Sequence, residues 1–227
     1  MKRSFKILIS IPLILMVLFI INAFSLKSNW DKTDKKEKYL SYKKLYNQPF
    51  KYIKTYAKSG GYGKVYIEYD TKGQVYISNS WEDKVRVSIK NDTLNIEFLN
   101  IPKGGFEGDN LDKMVIVTNP DLKSIESNNV SIEIENLTQD YLTLRGNGYG
   151  GFEFLSMNVK NLDIDLDENS SCNFFLKKIQ YLNAIKGNIK GKASLNIRVL
   201  FPEKIEIKNG PETGLELNGA TLNLLNK

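Results

Sequence analysis

This sequence predicts an all-β molecule, a right-handed parallel β-helix (β-solenoid) with about 20 residues per coil, preceded by an N-terminal hydrophobic helix. Three observations lead there. Leu122, Leu142, Leu162 and Leu182 stand twenty residues apart, and Val159, Ile179 and Val199 form a second series with the same spacing. Alternate positions inside the repeats stay apolar: Ile132 and Ile134 become Phe152 and Phe154, then Cys172 and Phe174, as strands require when successive side chains point to opposite faces. No window between residues 59 and 227 carries a sustained helical stripe. A coil cannot bury its apolar face alone, so stacked neighbours must keep the same offsets apolar.

Taken in order, residues 1–26 are an export segment. Lys2, Arg3 and Lys6 form a short basic start, and Ile7 to Phe24 is interrupted only by Ser10, Pro12 and Asn22. Roughly 15–18 apolar residues fall between a signal-peptide core and a full span of about 20. A retained membrane anchor and a signal peptide cleaved near Ala23-Phe24-Ser25 therefore both stay open. No cysteine follows the run, which excludes a lipid-modified amino terminus.

Residues 27–58 read as a basic tether, with ten lysines against Asp31, Asp34 and Glu37 for a net +7. Such charge is drawn to anionic headgroups by about 1 kcal/mol per basic residue; a solvated spacer is the plainer reading. Tyr39, Leu40, Tyr42, Leu45 and Tyr46 make one face of a short helix ending before Pro49.

Residues 59–227 make one β-solenoid domain. Runs such as Val65-Tyr66-Ile67, Val75-Tyr76-Ile77, Val85 to Ile89, Leu94 to Phe98 and Met114 to Val117 alternate as strands. Thr71-Lys72-Gly73, Asn91-Asp92 and Asn119-Pro120-Asp121 favour chain reversal between them. In the later coils Leu142 and Leu144 repeat as Leu162 and Ile164, then as Leu182 and Ala184. The inward series slips by one at Lys192 and Ser194 and resumes with Leu195 and Ile197, repeated as Leu215 and Leu217.

Of the whole-chain charge of +6, residues 1–58 carry +10, leaving −4 on residues 59–227. A nucleic-acid binder needs its positive charge on the folded surface that tracks phosphates, so no nucleic-acid partner is expected. Cys172 stands alone at an inward offset and reads as a small core hydrophobe.

The lead-in Tyr56 to Glu68, the run Trp81 to Ile96 and the run Val115 to Ile125 resemble the putative auto-transporter adhesin head GIN domain family over about residues 54–227. Its small turns are degenerate here, at Ser127-Asn128-Asn129, Gly146-Asn147-Gly148, Asn169-Ser170-Ser171 and Gly187-Asn188. The resemblance implies a right-handed parallel β-helix at the bacterial cell envelope, with adhesion suggested by the family name and no catalytic residues to carry over.

The chemistry available is narrow. With no histidine in the chain, the commonest general base and metal ligand is missing, and no Ser-His or Cys-His arrangement is possible. Asp163, Asp165 and Asp167 form an acidic comb, three carboxylates on one strand face at about 6.7 Å intervals. With Asn169 or a turn carbonyl the comb is a weak Ca²⁺ candidate; a solvated outer face is the plainer reading. No other cofactor is expected. The glycines from Gly146 to Gly151 read as a tight corner, since another strand and not a helix follows. Tyr62, Tyr66, Tyr69, Tyr76 and Trp81 are the exposed aromatics expected to meet a surface glycan or an envelope protein. The expectation is a non-catalytic, exported binding or structural module in the envelope, secreted or held to the membrane by its N-terminal segment. A polysaccharide-active β-helix enzyme and an accessory of a membrane signalling protein are the competing readings.

Overall fold

The computed structural model divides into two units, residues 1–40 and 41–227, and describes residues 16, 19, 22, 39, 41–58, 63–99, 113–176, 180–218 and 221–223. In the first unit Met16, Phe19 and Asn22 are helical. The export segment otherwise lies outside the described residues, among which no helix is long and apolar enough to cross a membrane.

The second unit is built of strands. The first group is β1 (Tyr42–Tyr46), β2 (Tyr52–Ala57), β3 (Gly63–Glu68), β4 (Gln74–Ser78), β5 (Val85–Lys90), β6 (Thr93–Phe98) and β7 (Val115–Thr118). There follow β8 (Ser124–Asn128), β9 (Val130–Glu135), β10 (Leu137–Asn147), β11 (Gly150–Phe154) and β12 (Met157–Leu166). The last described strands are β13 (Ser170–Phe174), β14 (Gln180–Ile189), β15 (Ser194–Asn196), β16 (Leu200–Asn209) and β17 (Gly214–Glu216), followed by a helical turn at 221–223. Nine strands form one sheet in the order β1-β4-β7-β3-β9-β11-β13-β15-β17, and eight form the other, β16-β14-β12-β10-β8-β2-β6-β5.

The expected right-handed parallel β-helix is corrected by this arrangement. Both sheets are mixed, because β1 with β4, β4 with β7, and β5 with β6 pair antiparallel. The β5–β6 reversal has a local cause. Asn91 and Asp92 both take positive φ, 49° and 57°, which suits the two-residue hairpin turn whose twist matches its flanking strands.

Residues 42–57, within the segment read as a tether, supply β1 and β2. The short helix expected near Tyr39–Tyr46 is replaced at Tyr42–Tyr46 by a strand paired with β4, and the Tyr46 hydroxyl donates to the Val87 carbonyl at 3.0 Å. Eight basic and three acidic residues lie in 1–40. The folded unit 41–227 therefore carries +1, since the five lysines of 41–58 add to the −4 of residues 59–227.

From β8 onward successive strands alternate between the two sheets and pair parallel, so like positions face each other. In the nine-stranded sheet Val65, Ile132, Phe152, Cys172 and Leu195 lie in one row, all at 0% exposure. Beside it run Ile67, Ile134, Phe154 and Phe174, with the last two rings stacked at 4.8 Å. In the eight-stranded sheet Leu142, Leu162, Ile185 and Ile205 align.

That last row revises the sequence reading: Leu162 pairs with Ile185, not Leu182. Between the aligned positions Phe154 and Met157 there are two residues, 155–156, but between Phe174 and Gln180 there are five, 175–179. Three extra residues enter there, so the partner of Ser171 is Ser194, an offset of 23. The apparent slip at Lys192 and Ser194 is this insertion seen downstream.

Gly148, at φ of 71°, turns the chain out of β10, and Gly150 and Gly151, at φ of 133° and 135°, open β11. A side chain on Gly151 would overlap the backbone of Ser171. This confirms a tight corner in place of a phosphate cradle.

Phe154→Ala should cost about 3–5 kcal/mol, as deletion of a fully buried aromatic does, whereas Glu153→Lys on the opposite face should stay within about 0.5 kcal/mol. Urea unfolding of the two variants measures the difference.

Candidate functional site

The outer face of the eight-stranded sheet follows from the inner one. In β2, burial of Ile53, Thr55 and Ala57 turns Tyr52, Lys54 and Tyr56 outward. In β8 and β10 the same alternation turns half-buried Ser124, Glu126 and Thr143 and exposed Arg145 to the outer face. Across the strands Asp165, Arg145, Glu126 and Lys54 form one row, in which Lys54 Nζ lies 2.8 Å from Glu126 Oε2.

A groove of about 790 Å³ crosses this face, walled by Tyr52 and Tyr141 and lined by Pro120, Asp121, Lys123, Ser124, Thr138, Gln139, Asp140, Thr143 and Arg145. Two polar clamps shape it. Gln139 Nε2 donates to the carbonyls of Leu122 and Tyr141, both at 2.7 Å, while its Oε1 accepts from Leu122 N at 3.2 Å. Buried Asn119 donates from Nδ2 to Phe50 O at 2.6 Å and to Asp121 O at 2.9 Å, fixing the turn that brings Pro120 and Asp121 to the rim. The ladder of β10 against β12 is interrupted at Asp140, which leaves Asp140 and Tyr141 exposed in succession. Tyr141 is 51% exposed; its hydroxyl donates to Asp163 Oδ2 at 3.2 Å. Asp140 is paired with Lys160 at 2.7 Å.

The acidic comb is divided. Asp163 is half-buried and registers with Lys186; Asp165 is exposed and lies between Arg145 and Asn188. Asp167 falls beyond the end of β12 in a turn, where its Oδ1 accepts from Glu168 N at 2.8 Å and its backbone N donates to Ser170 Oγ at 3.1 Å. Among the described residues no three His, Cys, Asp or Glu side chains gather as metal ligands. Asp163 and Asp165 border a second depression with Lys186, Asn188, Glu206 and Lys208. A hydrogen bond from Lys204, with Lys186 nearby, holds the Glu206 carboxyl below the usual range.

The expected aromatic surface is elsewhere. Tyr62 lies outside the described residues. Tyr66 is 1% exposed, because Lys113 Nζ covers its ring at 3.2 Å and its hydroxyl donates to Glu135. Trp81 is also buried, Tyr76 is half-buried, and Tyr69 remains exposed. Tyr52 and Tyr141 were missed: the alternation of Tyr52-Ile53-Lys54-Thr55-Tyr56-Ala57 was the available signal for the first, obscured by its lysines. Cys172 is fully buried, and burial pushes its thiol far up, which removes it as a nucleophile.

Cys172 should resist thiol reagents at pH 8 in the native protein and react once urea unfolds it, as a thiol titration would show. Because Asp163 and Asp165 stand in register with the cations Lys186 and Arg145 and the third acid is displaced, millimolar Ca²⁺ should leave the thermal melting curve unchanged.

Comparison with known proteins adds the family. A sequence profile of the family described as "Putative auto-transporter adhesin, head GIN domain" matches residues 55–209. A solved "putative adhesin" of Bacteroides fragilis is 18% identical, covers 78% of this chain and 92% of its own, and has a TM-score of 0.44. A "putative lipid binding protein" of Parabacteroides distasonis is 12% identical over 79% of this chain and 93% of its own, TM-score 0.46. A "putative adhesin" of the same species is 13% identical over 78% and 80%, TM-score 0.47. A search of curated proteins gave no match.

Proposed function

The chain belongs to the auto-transporter adhesin head GIN domain family, and from that premise we propose that it is a non-catalytic adhesion module of the bacterial cell envelope, holding surface glycan in the groove between Tyr52 and Tyr141. The observation that carries this reading is the groove itself. Two part-exposed tyrosines stand over a shallow floor of hydroxyl, amide and charged side chains. Flat aromatic faces pack on the apolar faces of sugar rings, while Ser124, Thr143 and Arg145 offer partners for sugar hydroxyls. The tyrosines need little ordering on binding, because Gln139 holds the backbone at Tyr141 and β2 lies between β6 and β8. Export through Ile7–Phe24 brings the module to the envelope.

One observation favours a second reading. Asp121 and Asp140 line the same groove, as a polysaccharide-cleaving site would require of two carboxylates. Asp140 is committed to Lys160, and the chain holds no histidine to share proton transfer, so binding without cleavage is the reading adopted.

Tyr52→Ala and Tyr141→Ala should each weaken binding to envelope polysaccharide roughly tenfold, about 1.4 kcal/mol, with melting temperature unchanged. Calorimetric titration measures the affinity, and reducing-sugar assay of the same mixtures detects any cleavage. Unaltered affinity in both variants would remove the groove as the binding site; reducing sugar lost with Asp121→Asn would establish the enzyme.

A further inference from the structure

The outward rows of the eight-stranded sheet do not stop at the Tyr52–Tyr141 groove. Tyr52, Ser124, Thr143, Asp163, Lys186 and Glu206 stand opposite one another on neighbouring strands from β2 to β16. Lys54, Glu126, Arg145, Asp165, Asn188 and Lys208 form the adjacent row. From β2 to β16 there are five strand spacings, which at about 4.8 Å each make a row about 24 Å long.

Two hollows lie along these rows and meet in the middle. The first groove ends on Thr143 and Arg145, and the depression beyond it, about 700 Å³, begins on Asp163 and Asp165, their direct partners on β12. A smaller hollow of about 180 Å³ is lined by both Arg145 and Asp165. Tyr141 stands at this junction, where its hydroxyl donates to Asp163 Oδ2 at 3.2 Å. The rows hold both signs in equal number: Lys54, Arg145, Lys186 and Lys208 against Glu126, Asp163, Asp165 and Glu206. Each of these acids is in register with a base on a neighbouring strand. Asp121 and Lys123 at the rim add one charge of each sign.

We propose that the two hollows are one binding track for an extended, uncharged polysaccharide chain lying across the strands. This rests on the glycan reading above and narrows its ligand to a stretch of neutral polymer longer than the first groove. A polyanion threaded along the rows would gain at each base and lose at the acid beside it, so the face offers it no net attraction. Sugar hydroxyls suit the mixture, because they can donate to Glu126 and Asp165 and accept from Arg145 and Lys208. The loss of translational and rotational freedom is nearly the same for a short fragment and a long one. Each further sugar in contact therefore strengthens binding until the chain outruns the rows.

The test uses the full chain and bacterial envelope polysaccharide that has been partially hydrolysed, split by anion exchange into neutral and acidic fractions, and sorted by length. Calorimetric titration with the neutral fragments should show affinity rising roughly tenfold from disaccharide to the longest fragment that fits the rows, and levelling off beyond about 24 Å. Raising the salt concentration should change little. Asn188→Ala combined with Lys208→Ala, both on the outer face of the second depression, should abolish the rise with length while the melting temperature stays the same. Affinity independent of length, with Tyr52→Ala still weakening it, would overturn the track and leave the groove reading intact. So would a rise with length that survives the double variant, or tighter binding of the acidic fraction. Absence of binding by every fragment, neutral or acidic, would overturn both.

Discussion

Parallel pairing in register between successive passes of the chain is the constraint from which the rest of the structure follows. Once Ile132, Phe152, Cys172 and Leu195 are held opposite one another by backbone hydrogen bonds, each inward position meets a residue of the same kind. The core becomes a set of continuous apolar rows. A one-residue slip would turn every inward side chain outward, which is why insertions are admitted only between strands. The three extra residues at 175–179 respect this: they change the offset without disturbing the rows on either side.

The same constraint produces the outer faces. With the inner rows fixed, outward positions align as well, and charges of opposite sign fall side by side, as with Arg145, Glu126 and Lys54. Such exposed pairs contribute little to stability, roughly 0–1 kcal/mol each. They surround Tyr52 and Tyr141 with polar side chains. The groove forms where the ladder loosens at Asp140 and where Asn119 ties down the turn beside it. Binding capacity thus sits at a local departure from regular pairing, supported by regular pairing on both sides.

The inward alternation from Ile132 to Phe174 was legible in the sequence because residue type and face are coupled by the strand period. The twenty-residue spacing was legible for the same reason, while the family resemblance lay in the runs Tyr56 to Glu68, Trp81 to Ile96 and Val115 to Ile125. The mixed sheets were hidden: β5 and β6 alternate like any other strands, and only the paired positive φ of Asn91 and Asp92 makes them a hairpin. The strands β1 and β2 were hidden by lysines whose charge resembles a spacer's, although Lys43, Lys44 and Lys54 are simply exposed residues of paired strands. Tyr66 misled because alternation gives a face and says nothing of what covers it; Lys113, distant in sequence, does so here. The Leu162–Leu182 match misled for a related reason. A leucine three residues from its expected place is still buried, as Leu182 is, so spacing could not expose the shift.

Register can be tested directly by paired cysteines. Neighbouring parallel strands lie about 4.8 Å apart, within the Cα separation of about 4.4–6.8 Å that a disulfide accepts. Asp163→Cys with Lys186→Cys, which the structure places opposite each other, should oxidise to a disulfide identifiable by peptide mass. Asp163→Cys with Asn183→Cys, the partner a strict twenty-residue repeat would choose, should stay reduced, since three residues add about 10 Å along the strand. A disulfide in the second variant and none in the first would contradict the pairing on which this account rests.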